Sequence, residues 1–413
     1  MRFFKSIPEV TYKYYDPKKK VLKKTMEEHL RFSVCFWHTF CWSGNDMFGQ
    51  PVFHRPWFKS PEDKIKAGFE FIEHLKLKFF TFHDVDVAPE GVSLRKMAEL
   101  IAKEMDRTKI ALLWGTANLT GHPRYLAGAA TNPDPEVFAY AVHQVKEALD
   151  VTCQLKGHNY VLWGGREGYE TLLNTDMRRE LDQYARFLSL LVDYKHKIGF
   201  KGPLLIEPKP CEPMKHMYDF DCATAYGFLQ KYGLEKEFKF NIESNHATLA
   251  GHTFPHEVAY ALAFDMFGSI DANDGDLMLG WDTDQFPMDV MAYTHVLYLL
   301  LQKGGFKSGG FNFDAKVRRQ SIDLQDLFTG HINSVDTLAK ALLQAAELIE
   351  KKQISDFVKN RYKDWDSKLG QSILNGEMHF ESLAHYVEKK KIDPQPRSGR
   401  QEMLEGLFND LKI

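Results

Sequence analysis

EFKFNIESNH, residues 237–246, is a short apolar run that breaks off at a carboxylate, Glu243, with an imidazole, His246, three residues further on. The same design recurs along the chain, an apolar run ended by a polar or aromatic residue and then a longer helical stretch. It precedes this segment at RFSVCFWH (31–38), KFFTFHD (78–84), KIALLWGT (109–116), NYVLWGG (159–165) and GPLLIEP (202–208), and follows it at DMFGSIDAN (265–273) and GGFNFDA (309–315). Runs of this length without strict alternation suit strands buried on both faces, as a parallel sheet covered by helices requires. Even the shortest spacer, Ser244 to Phe264, is long enough for a helical crossover. In ELDQYARFLSLLVDYKHKIG (180–199), Phe187, Leu190, Leu191 and Tyr194 fall at i, i+3, i+4 and i+7, and Gly199 supplies a stop. Eight strand–helix alternations predict an α/β fold, a closed (β/α)8 TIM barrel over residues 1–345 rather than an open doubly wound sheet. In such a barrel the chemistry lies at the C-terminal ends of the strands.

Those ends carry acids: Glu207 after LLI, Glu243 after FNI, Asp271 after GSI and Asp314 after FNF, with Asp282 and Asp284 in the connecting GWDTDQFP. A buried carboxylate costs several kcal/mol unless it is paired or binds metal, and one such residue alone is equally well a salt bridge. Six carboxylates gathered on one face repel one another and call for cations. An oxygen-rich set favours hard divalent ions such as Mg2+ or Mn2+, and the single imidazole of His246 widens the choice to Co2+. Seven ligands exceed one octahedral shell that must also admit substrate, so two ions are expected.

At the end of the second strand, His83 and Asp86 in FHDVD are spaced so that the carboxylate can orient the ring and leave one nitrogen free for proton transfer. Lys209, two residues beyond Glu207, points to the same side as that glutamate if strand geometry persists; its alternative is an ion pair with one of the acids. Trp37, Trp114 and Trp163 end strands one, three and four, Thr116 follows Trp114, and Phe48 lies in GNDMFGQP. Singly each aromatic reads as core; together at the catalytic face they form an apolar wall that excludes water from a small polar substrate. GGREG (164–168) lacks the spacing of a phosphate loop.

Lys and Arg number 53 against 56 Asp and Glu, a formal charge of −3, which offers no surplus to hold a nucleic acid backbone. Five cysteines, scattered and without a CxxC pair, read as free thiols in a reducing compartment. No signal-peptide stretch or membrane-length apolar run is present, so no membrane partner and a cytoplasmic location are expected. Beyond residue 345 the rhythm changes to helices without strands, ending in a helix whose Leu404, Leu407, Phe408 and Leu411 form a stripe. A tail of this size has little chance of an independent core, so residues 346–413 are read as a helical arm for subunit association.

FWHTF, FHDVDVAPEG, LLWGTANL, YVLWGGREGYETLLNTDM, LIEPKP, NIESNHATLAGHTF, GSIDAN, GWDTDQFP and GGFNFDAKVRR resemble motifs of the xylose isomerase family, in its longer-chain class. The resemblance runs from about residue 30 to the SGRQE of the tail. It implies a homotetramer joined through the arm, and interconversion of D-xylose with D-xylulose, along with D-glucose and D-fructose, by a 1,2-hydride shift after ring opening. It further implies two divalent metal ions (Mg2+, Mn2+ or Co2+) per subunit and no organic cofactor. One ion would be held by Glu207, Glu243, Asp271 and Asp314, the other by Glu243, His246, Asp282 and Asp284, with Glu243 shared. His83, oriented by Asp86, would assist ring opening; Lys209 would hydrogen-bond the C1 oxygen and, with the metals, stabilise charge developing on oxygen. Trp37 and Trp163 would wall the sugar, and Phe48 would reach into a neighbouring subunit's pocket. The segment from Gly91 to Trp114 is shorter than the resemblance leads one to expect, by about two helical turns. The rival readings are a metal-dependent barrel hydrolase, which would recruit more histidines, and a non-catalytic sugar-binding relative, which would lack ligands or the His–Asp pair.

Overall fold

The computed structural model describes residues 3–412. Every apolar run noted above is a strand: β1 (Ser33–Cys35), β2 (Phe79–His83), β3 (Ala111–Thr116), β4 (Asn159–Trp163), β5 (Leu204–Glu207), β6 (Phe238–Glu243), β7 (Phe267–Asp271) and β8 (Phe311–Phe313). Each pairs in parallel with the next in chain order, and β8 returns to β1, closing a barrel. The register sets functional positions side by side at one end, His83 with Thr116, Trp163 with Glu207 and Glu243 with Asp271. Below them Phe79, Leu113, Trp114, Val161 and Leu205 pack into one buried cluster, each large apolar side chain contributing about 1.5–3 kcal/mol.

The crossovers contain α1 (Pro61–His74), α2 (Leu94–Thr108), α3 (Pro135–Gln154), α4 (Met177–Ile198), α5 (Cys222–Lys231), α6 (Phe254–Ala263) and α7 (Val290–Gln302), and α8 (Leu324–Lys351) follows the last strand. Their starts are legible: Ser60 and Asp134 cap helices that open on proline, and Asp176 and Asp221 accept backbone N–H groups of the first turn. Gly199 ends α4 in the left-handed region, as its position requires. The outer helix between Gly91 and Trp114, α2, has 15 residues.

Several local expectations change. The spacer from Ser244 to Phe264 holds two helices, Ser244–Leu249 and α6, rather than one. Strand one stops at Cys35, and Trp37 lies on a wide π-type turn, Trp37–Cys41, not at a strand end. Trp114 stands two residues inside β3, 1% exposed and within the core cluster, because the strand runs on to Thr116.

The chain divides into two compact units, one ending at Leu342 and the other beginning at Leu343. In the second, α8 gives way to α9 (Gln353–Tyr362), α10 (Lys368–Leu374), α11 (Phe380–Lys390) and α12 (Gln401–Gly406). The last helix is shorter than the predicted stripe: it holds Leu404, but Gly406, a poor helix former, closes it before Leu407. No residue of α9, α11 or α12 is buried. Among the described residues no helix is long and apolar enough to cross a membrane.

Candidate metal centre

A cavity of about 420 Å3 opens at the C-terminal ends of the strands and is bordered by Glu207, Glu243, Asp271, Asp282, Asp284, Asp314 and His246. Donor atoms of Glu207, Glu243, Asp271 and Asp314 lie within 4.8 Å of one another, as do those of Glu243, Asp282 and Asp284, so Glu243 belongs to both clusters. His246 joins the second, with Nε2 3.0 Å from Glu243 Oε2 and 3.2 Å from Asp282 Oδ2. It gets there because the chain turns directly from β6 into the short helix Ser244–Leu249. Asp282 and Asp284, one residue apart, diverge: the first faces His246 and Lys209, the second His38 and Lys316.

Burial and then mutual repulsion push the carboxyl groups of Glu207, Glu243 and Asp271 well above the usual carboxylate range. Asp271 Oδ2 and His246 Nδ1 are buried without a hydrogen-bond partner. Orphaned donors of this kind, amid like charges that raise one another, are the surroundings a hard divalent cation would relieve. The residues present therefore fit divalent cations, and His246 also shares a donor group with Glu207 and Glu243.

A set of amides holds the acids in place. Asn241 Nδ2 donates to Glu207 Oε2 at 2.7 Å, Asn273 Nδ2 to Glu243 Oε1 at 2.7 Å, and Asn312 Nδ2 to Asp271 Oδ1 at 2.9 Å. Each bond runs from the amide of one strand, or its immediate extension, to the acid of the strand before it, so neighbouring strands lock one another's ligands.

Across the cavity, Asp86 Oδ2 accepts the backbone N–H of His83 at 2.7 Å and faces its Nδ1 at 3.2 Å. Burial, the largest influence, would lower the imidazole's pKa, but the charge and hydrogen bond of Asp86, with the charges of Asp314 and Asp84, together turn the net shift upward. Trp37 packs on His83 with ring centroids 4.5 Å apart and donates Nε1–H to Asp314 Oδ1 at 2.7 Å. Lys209, 4% exposed, binds Asp282 Oδ2 at 2.7 Å and lies 5.2 Å over the ring of Trp163. This lysine thus pairs with one of the acids and also borders the cavity. Thr116 borders the cavity, yet its hydroxyl donates to Val161 O at 2.6 Å. Phe48 is 85% exposed and does not line the cavity of its own chain.

Three curated bacterial proteins, each named xylose isomerase, are similar to this chain throughout. That of Marinomonas sp. (strain MWYL1) is 54% identical, with 98% of each chain covered. That of Haemophilus influenzae (strain 86-028NP) is 55% identical over 98% of this chain and 96% of the relative. That of Actinobacillus pleuropneumoniae serotype 5b (strain L20) is 56% identical over 97% and 94%. The chain belongs to the xylose isomerase family. A family model for the XylA2 C-terminal domain matches residues 358–411. Solved structures of a D-tagatose 3-epimerase-like protein (12% identical, 78% of this chain and 99% of that one, TM-score 0.54) and of D-psicose 3-epimerase from Clostridium cellulolyticum H10 (9%, 76% and 99%, TM-score 0.55) share the barrel.

Within this xylose isomerase family chain, some pocket residues carry no obvious sequence signal. His38 follows Trp37, and its Nε2 lies 3.1 Å from both Asp284 Oδ2 and Asp314 Oδ1. Lys316 Nζ binds Asp284 Oδ2 at 2.7 Å. Glu212 Oε2 accepts the backbone N–H of Asp282 at 3.0 Å and lies 3.3 Å from Lys209 Nζ, spanning two loops. The asparagines were findable: Asn241 and Asn312 each precede an acid by two residues, and Asn273 follows one by two, the spacing that shares a strand face.

Proposed function

We propose that the isomerisation of D-xylose and D-xylulose, to which membership of the family assigns this chain, proceeds at the barrel mouth with two divalent cations, and that D-glucose and D-fructose are also accepted. Glu207, Glu243, Asp271 and Asp314 would hold one ion, and Glu243, His246, Asp282 and Asp284 the other. The observation that carries this reading is the position of Glu243 in both carboxylate clusters. Divalent ions bound there supply Lewis-acid polarisation and neutralise charge developing on the sugar oxygens.

The chain's own groups supply the rest. His83, held by Asp86 through the ring and through its own backbone N–H, is oriented to move a proton between the ring oxygen and the anomeric hydroxyl as the sugar opens. Lys209, kept cationic by Asp282, Glu243 and Glu212 against burial, is placed to donate to the C1 oxygen. Trp37 and Trp163 cover the apolar side of the sugar and keep water from the path between C2 and C1. Donor and acceptor carbons are neighbours in one molecule, so a hydride shift between them needs no organic cofactor.

The exposed apolar residues of the second unit, among them Phe380, Leu374 and Trp365, support an arm that associates with other subunits, in our reading as a homotetramer in which Phe48 enters a neighbour's cavity. A cytoplasmic setting accords with five free cysteines. The test is to strip the protein with chelator, add D-xylose with and without Mg2+, Mn2+ or Co2+, and assay ketose. Activity absent after stripping and restored by at least one ion is expected; ketose formation without metal, or none with any metal, contradicts the proposal.

A further inference from the structure

Away from the sugar cavity, the described residues hold another set of metal-type donors: His252, His256 and Glu257, whose ligand atoms lie within 4.8 Å of one another. The set arises where the segment after β6 enters its outer helix. Thr253 is the residue before α6, so His256 falls in the first turn and stacks back over His252, with ring centroids 4.8 Å apart and tilted 36°. His252 Nε2 lies 3.0 Å from Asp221 Oδ2 and 3.9 Å from Glu257 Oε1. Two donors on a first-row ion with bonds of about 2.1 Å sit roughly 3.0–3.4 Å apart; His252 and Asp221 have that spacing, and the other donors would close from within 4.8 Å by side-chain movement.

The two carboxylates are anchored as metal ligands commonly are, by one oxygen each. Glu257, 4% exposed, accepts the Cys222 backbone N–H through Oε2 at 2.8 Å, and its Oε1 turns toward His252. Asp221 accepts the Thr224 N–H through Oδ1 at 2.7 Å as the cap of α5, and its Oδ2 turns the same way. Outer hydrogen bonds of this kind orient ligands before the ion arrives. An ion pair between His252 and Asp221 would account for two of these groups. It would leave unexplained why a second imidazole and a buried glutamate converge on them.

We infer that His252, His256, Glu257 and Asp221 form a separate binding site for a first-row transition-metal ion, with Zn2+ as the ion it fits. Two imidazoles with two carboxylates suit Zn2+ over Mg2+ or Mn2+, whereas the barrel mouth offers six carboxylates and one imidazole in its two clusters. Occupation ties the loop that follows β5, through Asp221, to the start of α6, and so fixes the far end of the segment whose beginning carries Glu243 and His246.

The test uses the full chain saturated with Mg2+ and dialysed against micromolar Zn2+ in millimolar Mg2+, with metal content read by mass spectrometry. His256 is exposed, so His256→Gln leaves folding intact; His143→Gln, on the exposed face of α3, controls for adventitious binding by surface histidines. Wild type and His143→Gln should retain one Zn2+ per chain more than His256→Gln, with the midpoint of thermal unfolding raised by Zn2+ in the first two only. Equal zinc content in wild type and His256→Gln would overturn the site. Isomerase activity in Mg2+ alone should be the same in all three, so failure of this site is distinguishable from failure of the sugar centre.

Discussion

His38 and His331 show how surroundings decide what an imidazole does. His38 lies between Asp284 and Asp314; burial is the largest influence and opposes its charge, but the charge of Asp284 and the hydrogen bonds to Asp284 and Asp314 together outweigh it, and the pKa is pushed up to about 9. His331 is ringed by Phe71, Phe286 and Phe313, its Nδ1 bonded to Leu327 O at 2.9 Å and its Nε2 without a partner, and burial pushes its pKa down to about 4. The folded chain keeps His331 neutral while the unfolded chain protonates it near 6.5. This group's contribution is therefore fully present above pH 6.5 and lost as pH falls toward 4, about 2 kcal/mol by pH 5. In urea unfolding at pH 7 and pH 5, His331→Leu should lose less stability on acidification than wild type by about that amount. Equal losses would show that the ring is protonated in the folded state. Neither environment is written locally: FWHTF looks the same whether His38 faces acids or solvent, and only the wide turn after β1 aims it at Asp284 and Asp314. Four of the acids, Glu207, Glu243, Asp271 and Asp314, are legible because each follows an apolar run, whereas Asp282 and Asp284 lie in the connecting GWDTDQFP.

At the scale of elements, the strand reading held because parallel barrel strands are buried on both faces and so read as uninterrupted apolar runs. Connections were less legible. The Ser244–Phe264 spacer splits into two helices because His246 must turn into the cavity before α6 can run back outside. The loops after β4 and β5 are joined by a two-residue ribbon, Gly168–Tyr169 with His216–Met217, which no local pattern announces. Gly168 is required there, since a Cβ would lie 2.2 Å from His216 O. The amide relay makes a prediction at this scale. Asn273→Ala removes the donor to Glu243 Oε1 while leaving every proposed ligand in place. Metal affinity, measured by activation of the stripped enzyme with Mn2+, should fall about 10–100-fold. An unchanged activation constant would mean that the amides pack the barrel without setting ligand geometry.

For the whole molecule, the second unit is the part that a single chain explains least. Phe380 is 87% exposed and Leu374 64%, in helices that bury almost nothing. In the proposed homotetramer these residues would form the association surface. Phe380→Asp in the full chain should shift sedimentation toward smaller assemblies and, if Phe48 completes a neighbour's cavity, raise KM for xylose. Unchanged sedimentation would remove the arm from assembly. The barrel could be read from its rhythm; the arm shows in the sequence only as a change to helices without strands after residue 345. The claim on which the functional reading turns is that Glu243 serves both ions. Its most direct test is Glu243→Gln, dialysed in Mg2+ alone, with bound metal counted and ketose assayed. Wild type should hold two ions per chain, and the variant should lose tight binding at both positions, with activity down at least about 10²–10³-fold, the scale on which removing a single charge-stabilising group is felt. Two ions retained with full activity would contradict it.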